Sequence, residues 1–304
     1  MSIVLDIFVN NLLPVFLVVG IGALLGVTLN PDVKALSRVT FYAITPCLAF
    51  ASLTQTRLTG AEVQQIALFA ILAMLAVSAI AWAIAALLRW ERRRQRTLVL
   101  SVLVINSGNL GISVVLLAFG QEAQARALVY FVTTATVGNT LGAVLAAGGC
   151  SWRRVLSNVV RIPLIYATAG ALIVNACDRI QVPALAMQPI NLLSRAAVPM
   201  MLLILGLQLA RSVSGLCQHA GFIALATALR LAVAPLVAFG VARLTGVKGT
   251  TVQVCMLEAS TPSGVTGTIL SLEYDLEPEV VTGTVFFSTL CSALTLSLLI
   301  SVIR

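Results

Sequence analysis

Two polar stretches interrupt otherwise apolar sequence, and their residue types suit the handling of a small charged molecule. From Glu258 to Gly267 the chain reads E-A-S-T-P-S-G-V-T-G, between the apolar runs V-Q-V-C-M-L (252–257) and T-I-L-S-L (268–272). The stretch sets one carboxylate, several hydroxyls, a proline and two glycines where the flanks call for hydrocarbon. Proline removes a backbone donor and glycine admits non-helical dihedrals, so a helix breaks here. A shift of 154 residues lays N-S-G-N-L-G (106–111) on S-T-P-S-G-V (260–265), and the turn F-G-Q-E (119–122) on E-Y-D-L (273–276).

Irregular backbone inside a bilayer is tolerated only where protein or a water-filled cavity satisfies its N–H and C=O groups. Half-helix N-termini carry partial positive charge and hold anions, whereas half-helix C-termini hold cations. A small ionic substrate is therefore expected between residues 106–113 and 260–267. The candidate contacts are Asn106, Ser107, Gly108, Asn109 and Gly111 on one side and Thr261, Pro262, Ser263 and Gly264 on the other. The competing reading of the polar side chains is helix-to-helix hydrogen bonding, worth about 0.6–2 kcal/mol in membranes. Hydroxyls such as Ser260 and Thr266 can also bond back to their own helix.

Glu258 is the sharpest single residue, because an ionisable group near a bilayer centre must be paired, protonated or in contact with water. Its expected partner is Arg230, inside the eighth apolar segment. A structural Glu258–Arg230 ion pair stands beside two functional readings. In one Glu258 is a proton or cation coupling site; in the other Arg230 is the countercharge of a carboxylate substrate. Thr45, Pro46 and Gln208 read as packing residues; Thr133, Thr134, Thr136 and Asn139 of the fifth segment are candidates to border the site, against local back-bonding as the competing reading of the threonines.

Enzyme chemistry has little to work with. The single histidine, His219, excludes a multi-histidine metal site. No G-x-x-x-x-G-K-[ST] loop for nucleotide phosphates is present. The six cysteines are scattered without a C-x-x-C pair and read as small apolar residues. No catalytic residue, metal or cofactor is expected, beyond H+ or Na+ as a coupling ion.

The elements that must position these groups are helices in a membrane. With 59% hydrophobic and 10% charged residues and a mean hydropathy of +1.03, the chain is a polytopic helical membrane protein in contact with lipid. Apolar segments of spanning length fall at about 10–29, 35–55, 63–88, 97–119, 125–147, 160–177, 190–210, 219–243, 249–272 and 280–302. The net charge of +8 lies mostly beside these segments, which argues for topology and against nucleic acid. Eleven Lys and Arg residues, concentrated in R-W-E-R-R-R-Q-R (89–96), fall on the odd-numbered loops and seven on the opposite side. That bias predicts cytoplasmic odd loops and both termini outside, in the inner (cytoplasmic) membrane. The N-terminus lacks a basic region and a small-residue cleavage site, so the first helix reads as retained.

The matched breaks divide the chain into two five-helix halves, 1–150 and 151–304. Five is odd, so the halves enter the membrane with opposite orientation, the inverted-repeat design of many secondary transporters. L-S-R followed by a proline, at 36–38 with Pro46 and at 193–195 with Pro199, is a fainter echo of the same repeat. Gly20, Gly22 and Gly26 of the first helix read as a close-packing face.

The closing region T-P-S-G-V-T-G-T-I-L-S-L-E-Y-D-L-E-P-E-V-V-T-G-T-V resembles that of the auxin efflux carrier family. Pro262 and Gly264 match its proline-glycine crossover, and N-S-G-N-L-G-I-S resembles the other crossover through Asn106 and Gly111. Ser113 stands where many relatives have proline. The resemblance covers the whole length and implies the fold of the bile acid:sodium symporters and sodium/proton antiporters. Helices 1, 2, 6 and 7 would form a scaffold, and helices 3–5 and 8–10 a mobile transport domain. It also implies crossing helices 4 and 9, elevator movement and a homodimer. The expected function is secondary transport of a small organic anion such as a carboxylate. The alternatives are a sodium- or proton-coupled symporter or antiporter on the same fold, and a membrane receptor or assembly subunit that does not transport.

Overall fold

The structure is a computed structural model that describes residues 3–148, 162–177, 182–210 and 219–304. Arg153, Arg154, Arg161, Arg179, Arg211, Cys150 and Cys217, used above for topology or cysteine chemistry, lie outside the described residues, as does the boundary between the two halves. The described residues are helical, with no strand among them.

Among the described residues, seven helices are long and apolar enough to cross a membrane: α1 (Ile3–Thr28), α2 (Val33–Gln55), α3 (Gly60–Leu87), α6 (Gln121–Ala147), α8 (Ala184–Ala210), α9 (Ala220–Thr245) and α12 (Pro278–Ile303). The shorter α7 spans Pro163–Ala176. The two remaining apolar segments are each split, into α4 (Arg92–Leu103) with α5 (Ser107–Phe119), and α10 (Gly249–Ala259) with α11 (Thr266–Glu273). Each split falls where the polar letters and glycines stand. The first occurs although Ser113 is not proline, because Val104 turns extended directly after α4. Ser113 instead continues the helix and bonds its hydroxyl to the Asn109 carbonyl over 2.8 Å. The expected turns are present too, with Gly120 at φ +84° and Asp275 at φ +52°.

Prolines inside the long helices are accommodated differently. π-helical turns at Phe8–Leu12, Thr40–Ile44 and Leu229–Val233 lie just before Pro14, Pro46 and Pro235. The wider turn makes room for a ring that clashes with the preceding carbonyls. At the second of these the Thr45 hydroxyl donates to the Thr40 carbonyl over 2.9 Å. Pro189 and Pro199 sit inside α8 without ending it.

A close backbone approach joins α1 to α8. A Cβ on Gly22 would overlap the Leu203 carbonyl, and one on Gly206 would overlap the Val19 carbonyl, so neither position has room for a side chain. Gly26 packs on Ala210 in the same seam, whereas Gly20 faces open space and plays no part in it. Leu12, Val15 and Val19 of α1 and Met201, Leu202 and Leu205 of α8 share one buried cluster with Leu110 and Ile112 of α5.

A second cluster joins Phe69 of α3, Tyr130 of α6, Ala238 of α9 and Cys255 of α10. Polar bonds at the helix starts reinforce it. Arg126 of α6 donates to Glu62 of α3 over 3.0 Å, to Glu122 over 3.1 Å and to Thr251 of α10 over 3.2 Å. Arg126, a topology charge by its place in the sequence, is thus a buried tie between three helices. Of the cysteines described, Cys47, Cys177, Cys255 and Cys291 are free.

Candidate functional site

The two breaks meet each other. Ile105 and Ser263 form an antiparallel bridge. The Asn106 N–H donates to the Pro262 carbonyl over 2.8 Å, and the Gly264 N–H to the Val104 carbonyl over 2.8 Å. Backbone that would be orphaned in either broken helix is satisfied by the other, the accounting a bilayer demands. Gly264 is required by this approach, because a Cβ there would stand 2.6 Å from the Ile105 oxygen. Gly108 is confined in the same way by the Phe131 ring, which a Cβ at that position would approach to 2.6 Å.

A cavity of about 730 Å³ opens beside the crossing. Asn106, Ser107, Gly108 and Asn109 line it from the start of α5, and Gly264, Val265 and Thr266 from the start of α11. Both half-helices therefore begin at the cavity with the positive ends of their dipoles, although in α11 the Gly267 and Thr268 N–H groups turn back onto the Gly264 and Val265 carbonyls over 3.0 Å. Asn106 is 5% exposed and stands at the N-cap of α5, yet its side chain caps nothing. Its Nδ2 has no hydrogen-bond partner. The Ser107 hydroxyl is within 2.9 Å of the hydroxyl of Thr134, another residue of the cavity lining.

Four of the expected contacts do not line the cavity: Gly111, Thr261, Pro262 and Ser263. Their roles at the crossing are internal. Ser263 donates its hydroxyl to the Ser101 carbonyl over 2.6 Å, and its N–H to the Ser288 hydroxyl over 3.1 Å. Thr261 bonds back to the Glu258 carbonyl over 2.7 Å, and Ser260 to Met256 over 2.7 Å. Pro262 supplies a carbonyl to the bridge, and Gly111 packs against the Glu258 carboxyl.

The opposite wall comes from α2 and α8, and sequence reasoning missed it. Lys34, Arg38 and Thr45 of α2 and Gln208 of α8 line the cavity; Thr134 and Asn139 of α6, candidates from the sequence, line it beside the crossing. Their letters alone suggest packing for Thr45 and Gln208 and topology for Lys34 and Arg38. The usable signal is the i, i+4 spacing of Lys34 and Arg38, which puts both cations on one helical face. Thr133 behaves as expected and bonds back to Val129 over 2.9 Å.

The expected Glu258–Arg230 ion pair is not formed. Arg230, 2% exposed, directs its guanidinium to carbonyls freed where helices end. It donates to Thr261 over 2.7 Å, to Val102 over 3.4 Å and also to Ala259. Glu258 is fully buried, and neither carboxyl oxygen has a hydrogen-bond partner. A Cβ on Gly111 would overlap that carboxyl, so the two crossovers touch here as well.

Comparison with known proteins gives these features a setting. A family model described as "Membrane transport protein" matches residues 7–147 and 151–300. An uncharacterized transporter of Methanothermobacter thermautotrophicus is 31% identical over 282 residues, covering 90% of each chain. Another of Methanocaldococcus jannaschii is 28% identical over 207 residues, 66% of each chain. Auxin efflux carrier component 1 of Arabidopsis thaliana is 27% identical over 139 residues, 46% of this chain and 22% of that protein. A multi-pass helical chain, broken twice at one buried crossing and matched along nearly its whole length, belongs to the membrane transport protein family that includes the auxin efflux carriers.

Proposed function

We propose that the chain is a secondary transporter of a small organic anion, of the carboxylate class, held in the cavity beside the crossing. The observation that carries this reading is the charge arrangement around one space. Two half-helices begin at the cavity, Asn106 offers an unused amide donor, and Lys34 and Arg38 stand on the facing helix. Every one of these features favours negative charge.

In this reading the chain crosses the membrane ten times, as two inverted halves, 1–150 and 151–304. The antiparallel sense of the Ile105–Ser263 bridge supports it, since inverted halves bring their crossovers together head to tail. Helices 1, 2, 6 and 7 form the scaffold and the rest an elevator-type transport domain. The working unit is a homodimer in the inner membrane with both termini outside. The cavity suits this division, because α2 and α8 form one wall and the crossing with α6 the other.

The test is thermal unfolding of the purified protein against a panel of mono- and dicarboxylates, followed by uptake into proteoliposomes. A ligand that binds only the folded state raises the unfolding temperature. A saturable rise with one carboxylate class, and uptake of that same class, is expected. No shift with any organic anion would sink the reading.

A second reading, proton coupling, is favoured by Glu258, whose carboxyl is buried without a donor and touches the opposite crossover. Such a group is costly as an anion unless a proton or partner arrives. Glu258→Gln separates the two. Uptake that loses its pH dependence supports coupling at this position, and an unchanged pH profile in a folded variant removes it.

A further inference from the structure

The crossing joins helix starts, which carry partial positive charge, to helix ends, which carry partial negative charge. The starts of α5 and α11 lie at the cavity, whereas the last-turn carbonyls of α4 and α10, near Leu103 and Ala259, converge on one side chain outside its lining. Helix C-termini carry partial negative charge and expose carbonyls without intrahelical partners. In broken-helix transporters such carbonyls are where a small cation is coordinated. Here the carbonyls in question are Val102 from the last turn of α4 and Ala259 and Thr261 from the end of α10. All three accept hydrogen bonds from one side chain, the Arg230 guanidinium, carried in on α9.

We infer that Arg230 is a tethered cation filling a monovalent-cation site formed by the converging ends of α4 and α10. The guanidinium is always charged and presents several donors in a fixed fork, so one side chain can satisfy three carbonyls from two helices. It also explains why Arg230 leaves Glu258 alone: its donors are directed to the helix ends. The consequence reaches beyond the identity of the substrate. A site already filled by a side chain is not free for sodium, so the protein is insensitive to sodium at this position. Removing the guanidinium exposes a vacancy selective for small monovalent cations. Arg230 is thus a positioning residue, holding the crossing together without touching the cavity.

The purified protein in detergent tests this without knowledge of any substrate. Wild type is expected to unfold at the same temperature in sodium as in choline chloride of equal ionic strength. Arg230→Ala is expected to unfold at a lower temperature and to regain most of the loss in millimolar guanidinium, with no gain in urea. It should also acquire a sodium-over-choline stabilisation that wild type lacks, which a purely steric role would not produce. Saturable stabilisation of wild type by sodium would overturn the inference. So would an Arg230→Ala protein that responds to neither guanidinium nor sodium. If Arg230→Ala does not fold, Arg230→Lys and Arg230→Met decide: a folded lysine variant beside a failed methionine variant supports a cation requirement. Equal success or equal failure of the two overturns it.

Discussion

The Asn106 N–H donates to the Pro262 carbonyl over 2.8 Å, so the two crossovers are hydrogen-bonded parts of one another. One residue thereby serves two purposes. The main chain of Asn106 holds the crossing closed, while its side-chain Nδ2 is buried without a hydrogen-bond partner in a residue that lines the cavity. Fold and ligand contact can be separated at this position by changing the side chain alone.

Asn106→Asp is the informative change. Its carboxylate meets the partial positive charge of a helix N-terminus but is almost wholly buried, so the unliganded protein should lose about 1–3 kcal/mol of stability. An anionic ligand would instead meet a like charge, and such juxtaposition costs on the order of several kcal/mol. The expected outcome is a moderately lowered unfolding temperature with the carboxylate-induced shift abolished. A retained shift would show that the ligand does not approach Asn106.

Gly264→Ala addresses the crossing itself. The added methyl would stand 2.6 Å from the Ile105 oxygen and 2.8 Å from its carbon, and backbone cannot swing aside as a flexible side chain does. Overpacking of this kind costs about 1–3 kcal/mol. The variant should unfold earlier than wild type, whereas Gly20→Ala, facing open space, should not. Equal unfolding temperatures for the two variants would contradict the geometry.

Lys34 and Arg38 are exposed residues of the cavity wall, so their contribution should be electrostatic guidance and not packing. Replacing both with Gln should weaken half-saturation for an anion several-fold at low salt. The deficit should shrink as ionic strength rises, since screening at 0.1 M acts over about 10 Å. Uptake measured across a salt series checks this, and a salt-independent deficit would point to direct contact instead.

Arg126 makes a prediction independent of ligand. It is 8% exposed and bonds Glu62, Glu122 and Thr251. Breaking a buried pair by removing one partner costs about 3–5 kcal/mol, and the partial exposure of Glu62 reduces that toward the lower end. Arg126→Met should lower the unfolding temperature clearly, and Glu62→Gln, which leaves Arg126 its other two partners, should do so less.

The breaks were legible in the sequence because proline, glycine and polar letters inside hydrocarbon-length runs have few other uses. Gly108, Pro262 and Gly264 mark both crossovers, and the turns at Gly120 and Asp275 follow at matching distances. What the letters cannot carry is direction. Ser263 next to Pro262 has the look of a ligand contact, yet its hydroxyl points to the Ser101 carbonyl. Lys34 and Arg38 flank an apolar segment as any topology charge does, and only the packing of α2 opposite the crossing turns them toward the cavity. By charge alone Arg230 should seek Glu258. The competing attraction, carbonyls released at two helix ends, exists only after both helices have broken and met.

The seam between α1 and α8 has a kinetic consequence. Gly22 and Gly206 bring backbone against backbone with no side chain between them, so displacement along that seam would drive carbonyls into neighbouring chain. In the proposed division into scaffold and transport domain, motion would then be concentrated elsewhere, along the cavity lined by α2, α8 and the crossing. A larger residue at position 22 or 206 would force the two helices apart, and the proposed scaffold would lose its tightest seam before any residue of the cavity changed.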